Sequence, residues 1–506
     1  MKAKTLMIQG TASAVGKSLL TTALCRRYRR AGRRVAPFKA QNISLNAAVT
    51  PCGCEIGRAQ AEQAAAAGVV PTPQMNPLLL KPEGEGQLQM VVMGHAVDRA
   101  VAAAYLEQRD RLRQVVSAAI AQLRAEYELV IIEGAGSPAE INLREGDIVN
   151  MDLALRQRSP VLIVGDIDRG GVFASFVGTL VLLSEAERQL VRGFLVNKFR
   201  GDQTLLRPGL DQLEALTARP VLGVMPHIGE SGLPDEDGVA LERSEYRVAD
   251  AGQVEIAVIR LPRISNFDEF APLVAMPAVR LNYVDRPAAL ASADLVILPG
   301  SKGTLNDLRW LRERGLAQAL AERAARQLPI LGICGGCQML GMRIDDSLGV
   351  EGGRPASVAG LNLLPIETQF VADKRTVQLR ARIVRPSFLG SSQLGELEGY
   401  LIHHGRIRLS GCETPVPLLF ETCGAQLPEG DGASSADGAV VGTMIHGLFE
   451  NAALRRYVVH NLAERRGLAV SAEVDGWDRQ AIYERLADIA ERAIDFERLD
   501  AIIAAG

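Results

Sequence analysis

From residue 1 to about residue 235, short apolar runs alternate with longer amphipathic stretches. The apolar runs are Thr5–Gln9, Arg34–Phe38, Leu129–Glu133, Val161–Gly165, Gly193–Val196 and Val221–Val224. Helical spacing lies between them, for example over Lys17–Arg30 and Ala100–Tyr127. Such βα alternation predicts a parallel sheet covered on both faces. The polar stretch Gly229–Val248, rich in Pro, Asp, Glu and Gly, predicts a linker. A second series starts at Val254–Ile259 and continues through Leu295–Leu298, Ile330–Ile333, Leu361–Glu367 and Val440–Met444. Val377–Ile383 alternates more strictly and suits an antiparallel addition. Residues 451–506 carry apolar positions at helical spacing, and Gly432–Gly438 reads as a surface loop. The expected organisation is an α/β domain over 1–235, a linker at 236–252, a second α/β domain over 253–470 and a helical segment at 471–506.

Composition changes this picture little. The chain has 506 residues, enough for two or three domains, with 47% apolar and 23% charged residues. Its net charge of −3 gives no reason to expect nucleic-acid binding. Arginines 26, 27, 29, 30, 33 and 34 form a local basic cluster, expected on a solvated helix face. No apolar run reaches the ~18 residues of a transmembrane helix, and the N-terminal run is too short for a signal peptide. Seven cysteines, an odd number without small-domain spacing, fit free thiols in a reducing cytoplasm.

Two segments carry chemistry. Gly10-Thr-Ala-Ser-Ala-Val-Gly-Lys-Ser18 follows the first strand and opens the first helix, the context of a phosphate-binding loop. Gly10, Thr11 and Gly16 would cradle phosphate with backbone N–H groups, Lys17 would neutralise it and Ser18 would ligate Mg²⁺. The metal also needs a carboxylate at a neighbouring strand end, and Glu133 ends an apolar strand just before glycines. Asp166 and Asp168 end another strand, where ligands of open α/β sheets bind. Asn197 ends a further one, and its amide could read adenine.

The second segment is Leu331-Gly-Ile-Cys-Gly-Gly-Cys-Gln-Met-Leu-Gly341. An apolar strand stops at Cys334, two glycines allow a sharp turn, and a helical pattern follows. A thiol exposed on such a turn at a helix N-terminus is an activated nucleophile. Of the six histidines, His446 is the best base, because it lies between the end of a strand and a glycine. Gly335 N–H and the loop around Gly300 and Ser301 can supply oxyanion donors.

The elbow, the Pro299-Gly-Ser301 loop and the distant His446 resemble the class I (triad) glutamine amidotransferases, in which the cysteine attacks the glutamine amide and ammonia is released. Many members carry a His-x-Glu pair, whereas here His446 is followed by Gly447 and Leu448. The N-terminal half resembles the dethiobiotin-synthetase-like ATP-binding domains. Together with Ala36–Asn46, Glu55–Gln60, Met75–Pro82, Asp166–Gly171 and Asn197–Asp202, the two halves resemble the cobyric acid synthase family over nearly the whole chain. That resemblance implies ATP- and glutamine-dependent amidation of the b, d, e and g carboxylates of (adenosyl)cobyrinic acid a,c-diamide, through an acyl phosphate. ATP, Mg²⁺, glutamine and a corrinoid are then the expected cofactors and partners, and Lys39 would hold the substrate carboxylate or phosphate. Ala14 and Leu401 depart from residues common in the family. Two other readings stay open: an amidase of the same build acting on another carboxylate, and a partitioning-type ATPase with an inactive second domain. Ala12, where such ATPases would carry an extra lysine, speaks against the latter.

Overall fold

The computed structural model describes residues 2–84, 87–97, 100–101, 108–229, 232–233, 246–250, 252–410, 420–423, 430–468 and 475–506. The chain forms two compact units, Met1–Glu236 with Asp478–Gly506, and Asp237–Trp477.

The first unit is built on a six-stranded parallel sheet in the order Val221–Pro226, Val191–Phe199, Val161–Asp166, Lys4–Gly10, Leu129–Glu133, Val35–Phe38. Its central strands carry continuous apolar runs (Leu6 to Ile8, Leu129 to Ile132, Val161 to Val164) because successive side chains feed opposite cores. Leu6, Ile8, Leu129, Ile131, Leu162 and Val164 join one apolar cluster. Met7, Val130, Ile132, Val161 and Ile163 join the other. Helices Arg109–Glu126 and Val172–Leu182 cover one face, and helix Lys17–Arg30 covers the second.

That second face is completed by the C-terminal helices Arg479–Ala493 and Phe496–Ala505, through Tyr483, Leu486, Ala490, Leu499 and Ile503. The basic cluster is therefore only partly a solvated face: Arg29, Arg30 and Arg34 are exposed, whereas Arg26 is buried and several of the arginines pair with acids of these helices. Arg26 Nε donates to Glu484 (2.9 Å), Arg30 to Asp488 (2.6 Å), and Arg33 pairs with Asp500 (3.6 Å). Below them Tyr483 donates its hydroxyl to buried Glu62 (2.5 Å), which also faces Arg479 and Arg58. Sequence spacing could not reveal these partners, which lie more than 400 residues away along the chain. Two smaller sheets flank the first unit's main sheet. One contains Gln41–Ile43 and Leu78–Gly84, and the other is the hairpin Ala47–Val49 with Glu55–Gly57. Ala100–Val101 pair as a strand with Gln87–Leu88, so the expected helix over Ala100–Tyr127 is shorter: it spans Arg109–Glu126, and residues 102–107 lie outside the described residues. Most of the expected linker, residues 234–245, also lies outside them.

The second unit has a sheet in the order Val279–Val284, Val254–Ile259, Leu295–Leu298, Ile330–Ile333, Val440–Thr443, Ala433–Ser434, parallel except for the last strand. Ala433–Ser434, expected in a surface loop, is thus a buried edge strand. Leu361–Glu367 does not extend the parallel series. The N–H groups of Leu361 and Leu363 bond the Met339 and Leu340 carbonyls instead, so the run closes the end of helix Gly335–Leu340. The long strand Ile366–Ile383 then pairs antiparallel with Leu397–Leu409 in a separate sheet. No helix among the described residues is long and apolar enough to cross a membrane.

Candidate active sites

In the second unit, three neighbouring parallel strands deliver the three loops that the sequence singles out. Val296 pairs with Ile330, and Ile333 with Thr443, so the loops leave the same edge of the sheet side by side. Cys334 sits on the turn with φ 49°, a conformation that β-carbon residues rarely adopt. The turn is tight enough to exclude side chains. A Cβ on Gly336 would lie 1.8 Å from the Leu298 carbonyl oxygen, and one on Gly335 would lie 2.9 Å from Ser301 N. The second contact also puts the Ser301 N–H beside Gly335, as a paired oxyanion site requires. The Ser301 hydroxyl is not free for this, since it donates to Asp307 Oδ2 (2.6 Å) and accepts from Gly303 N. Gly300 faces the base: a Cβ there would stand 3.1 Å from His446 Cε1.

Cys334 lies beside His446, close enough for the thiol to act on the charge of the imidazole. His446 Nδ1 donates to Glu269 Oε1 (3.0 Å), whose second oxygen accepts from Gly447 N–H (3.1 Å). With Nδ1 so committed, Nε2 is left for the thiol. Burial opposes protonation of this imidazole, but the Glu269 carboxylate and Cys334 together outweigh it and raise its pKa to about 10. Glu269 thus stands where the missing acid of the His-x-Glu pair would act. It comes from the buried 3-10 turn Phe267–Phe270, entered through Asn266 in the left-handed region (φ 53°). Phe270 packs on Phe449, three residues after His446, which bolts carboxylate to imidazole (ring centroids 6.3 Å apart). Tyr400 stacks on the other side of His446 at 5.3 Å. The one local clue to Glu269 was an acidic pair enclosed by two phenylalanines. Cys337, fully buried, has its thiol pushed well up by burial and is a packing residue.

In the first unit the phosphate loop joins the sheet through Thr11 N–H, which donates to Val164 O (2.9 Å). Gly16 takes φ 98° just before helix Lys17–Arg30, whose N-cap makes no side-chain hydrogen bond, and the positive end of the helix dipole lies at the loop. Gly10 lies against Lys17, whose Nζ donates to the carbonyls of Ala12 (3.1 Å) and Gly136 (3.0 Å). Glu133 is fully buried and accepts from Ser18 Oγ (2.8 Å), Lys39 Nζ (2.9 Å) and Gln63 Nε2 (2.5 Å). Lys39 and Glu133 are therefore one site, and Gln63 is a member that the sequence did not suggest. A hydroxyl and a carboxylate in contact suit a hard cation. Among the described residues no group of three or more His, Cys, Asp or Glu could hold a metal alone. Phosphate oxygens would have to complete such a shell, which fits a cation carried with a nucleotide.

Asn197 and Asp166 lie beneath the loop. Asn197 Nδ2 donates to Val15 O (2.8 Å). Asp166 accepts from Lys198 (2.9 Å), which also donates to Ala14 O. Asp168 is further out, paired with Arg200 (3.0 Å). The Asn197 and Lys198 bonds brace the loop.

A phosphate loop in one unit and a thiol–imidazole–carboxylate chain in the other define a glutamine amidotransferase driven by ATP. Residues 6–232 match the CobQ/CobB/MinD/ParA nucleotide binding domain family, and residues 255–454 match the CobB/CobQ-like glutamine amidotransferase domain family. The chain is 50% identical to the cobyric acid synthase of Sorangium cellulosum (strain So ce56), over 99% of both chains. It is 49% identical to that of Desulforudis audaxviator (strain MP104C), over 99% of this chain and 100% of the relative. For the enzyme of Klebsiella pneumoniae subsp. pneumoniae the identity is 47%, over 98% of both. The chain belongs to the cobyric acid synthase family, glutamine-dependent amidotransferases of cobalamin biosynthesis that use ATP.

Proposed function

We propose that this chain converts (adenosyl)cobyrinic acid a,c-diamide to (adenosyl)cobyric acid by amidating its b, d, e and g carboxylates. Each amidation would consume one glutamine and one ATP. The observation that carries the reading is the buried His446–Glu269 pair set beside the Cys334 turn, with the Gly300–Ser301 loop against both. In it the Cys334 sulfur attacks the glutamine carboxamide carbon. The backbone N–H groups of Gly335 and of the Gly300–Ser301 loop stabilise the oxyanion. His446, protonated on Nε2 and steadied by Glu269 on Nδ1, gives its proton to the leaving nitrogen, and ammonia departs. Water then hydrolyses the thioester, with His446 as base.

A carboxylate resists ammonia until it is activated. ATP would phosphorylate it to an acyl phosphate, from which ammonia displaces inorganic phosphate. Lys17 and the loop N–H groups of Gly10 and Gly16 would stabilise the transferring phosphoryl charge, while Thr11, whose N–H is held by Val164 O, would anchor the loop. Lys39 would leave Glu133 for the substrate carboxylate. Mg²⁺, held by Ser18 and Glu133, would neutralise charge on the phosphates. Asn197, Asp166 and Asp168 would support the loop and its ligand from below. The reaction belongs in the cytoplasm, where free cysteines persist and ATP is available.

Mass spectrometry of corrinoid products after incubation with cobyrinic acid a,c-diamide, MgATP and glutamine tests this reading. The expected result is a ladder of products ending at the tetra-amidated species. Glutamine hydrolysis with no change in corrinoid mass would reject the substrate.

A further inference from the structure

Near the Cys334–His446 pair lies a second histidine that the relay does not use. Strand Leu397–Leu409 touches the site at two points. Tyr400 exchanges backbone hydrogen bonds with His446 (2.9 and 3.1 Å), and Gly405 abuts the elbow helix, where a Cβ would fall 2.2 Å from Gln338 Nε2. His403 lies between those points, close enough for the His446 charge to act on it. Its Nδ1 donates to Gly405 O (2.6 Å), which fixes the tautomer and leaves Nε2 as a bare acceptor. The side chain is 7% exposed, and Nε2 has no hydrogen-bond partner among the described residues. Burial, with Arg406 and Arg375, pushes the pKa of this imidazole down to about 3, so it is neutral throughout the working range. The hydroxyl of Thr368, also buried and beside Gly405, is likewise unpartnered among the described residues. A buried polar atom left unpaired is costly unless a ligand satisfies it.

We infer that His403 Nε2 accepts a hydrogen bond from the α-ammonium group of bound glutamine, and so selects an amino acid over a plain carboxamide. This rests on the glutaminase reading of Cys334. Glutamine carries two donor groups. The carboxamide nitrogen must face His446 to be protonated as it leaves, so the α-ammonium is the donor that remains. A neutral acceptor suits it, since an imidazolium would repel it.

The test uses the full chain with Cys334→Ala, so that ligands are bound but not turned over, and titrates glutamine and 4-carbamoylbutanoate, which lacks the amino group. The expected parent preference for glutamine is on the order of 10- to 100-fold, the range for a buried polar group left unpaired. Adding His403→Leu should weaken glutamine by that factor, leave 4-carbamoylbutanoate unchanged, and bring the ratio to about one. His403→Gln, which keeps an acceptor near the Nε2 position, should restore part of the preference. A preference retained in His403→Leu, or both ligands weakened alike, overturns the inference while leaving the glutaminase reading intact. A parent that binds neither ligand overturns both.

Discussion

Replacing Glu269 by Gln preserves the side-chain shape and removes its charge. In the native site one oxygen accepts from His446 Nδ1 and the other from Gly447 N–H, and both His446 and Glu269 are 1% exposed. A carboxamide cannot serve both. With its oxygen toward Nδ1, its NH₂ confronts the Gly447 N–H, donor against donor. Turned round, it forces the proton to Nε2 of a neutral ring, the tautomer that cannot take the thiol proton. Loss of the charge-assisted bond costs ~1.5–3 kcal/mol, and the displaced buried partner costs ~1–3 kcal/mol more. Together they amount to about 2.5–6 kcal/mol, or roughly 10²- to 10⁴-fold in glutamine-dependent turnover. The assay is ammonia release from glutamine in the presence of MgATP and corrinoid, with amidation supported by ammonium as the control for the rest of the enzyme. Stability should respond with a defined sign. The imidazole pKa is raised from 6.5 to about 10, so the pair's stabilisation is complete below pH 6.5 and is lost as pH rises through about 10. In Glu269→Gln burial remains without its counter-charge, and that loss moves to lower pH. Glutamine turnover within about threefold of the parent, with an unchanged pH profile, would refute the orienting role.

Cys334→Ala should abolish glutamine-supported amidation and keep the ammonium-supported reaction; loss of both would make Cys334 structural. Glu133→Gln should reduce amidation from either nitrogen source by about 10²-fold or more and shift the Mg²⁺ requirement, while glutamine binding at the other site persists. An unchanged Mg²⁺ titration would remove Glu133 from the nucleotide site. Tyr483→Phe strips a donor from buried Glu62 and should cost ~1–3 kcal/mol by denaturant titration; no change would mean that the C-terminal helices do not depend on that bond. Asp307 has its pKa raised from 3.8 to about 6, chiefly by burial, against the opposing Ser301 hydrogen bond. Its neutral form is favoured in the fold, so its contribution to stability falls as pH rises from about 4 to 6. The stability difference between Asp307→Asn and the parent should change across that window and be flat above it.

The sequence by itself determined what is local. The phosphate loop is contiguous from Gly10 to Ser18, and its strand–glycine–helix grammar can be read without a partner. Cys334 was legible for the same reason, because the glycines its turn demands are its immediate neighbours. The two parallel sheets showed in short, nearly continuous apolar runs, since both faces are buried. Only the tertiary structure decided the rest. Glu269 and His446 are 177 residues apart, and no periodicity links a carboxylate to an imidazole that a different loop delivers. Glu133 could be placed at a strand end, but its union with Lys39 and Gln63 depends on elements packing around a sheet. The arginine cluster looked solvated because its acidic partners come from the opposite end of the chain. Covalent neighbours fix backbone conformation, and so turns and loops are written locally. Charge pairing and burial act through space, and they become definite only when the chain has folded.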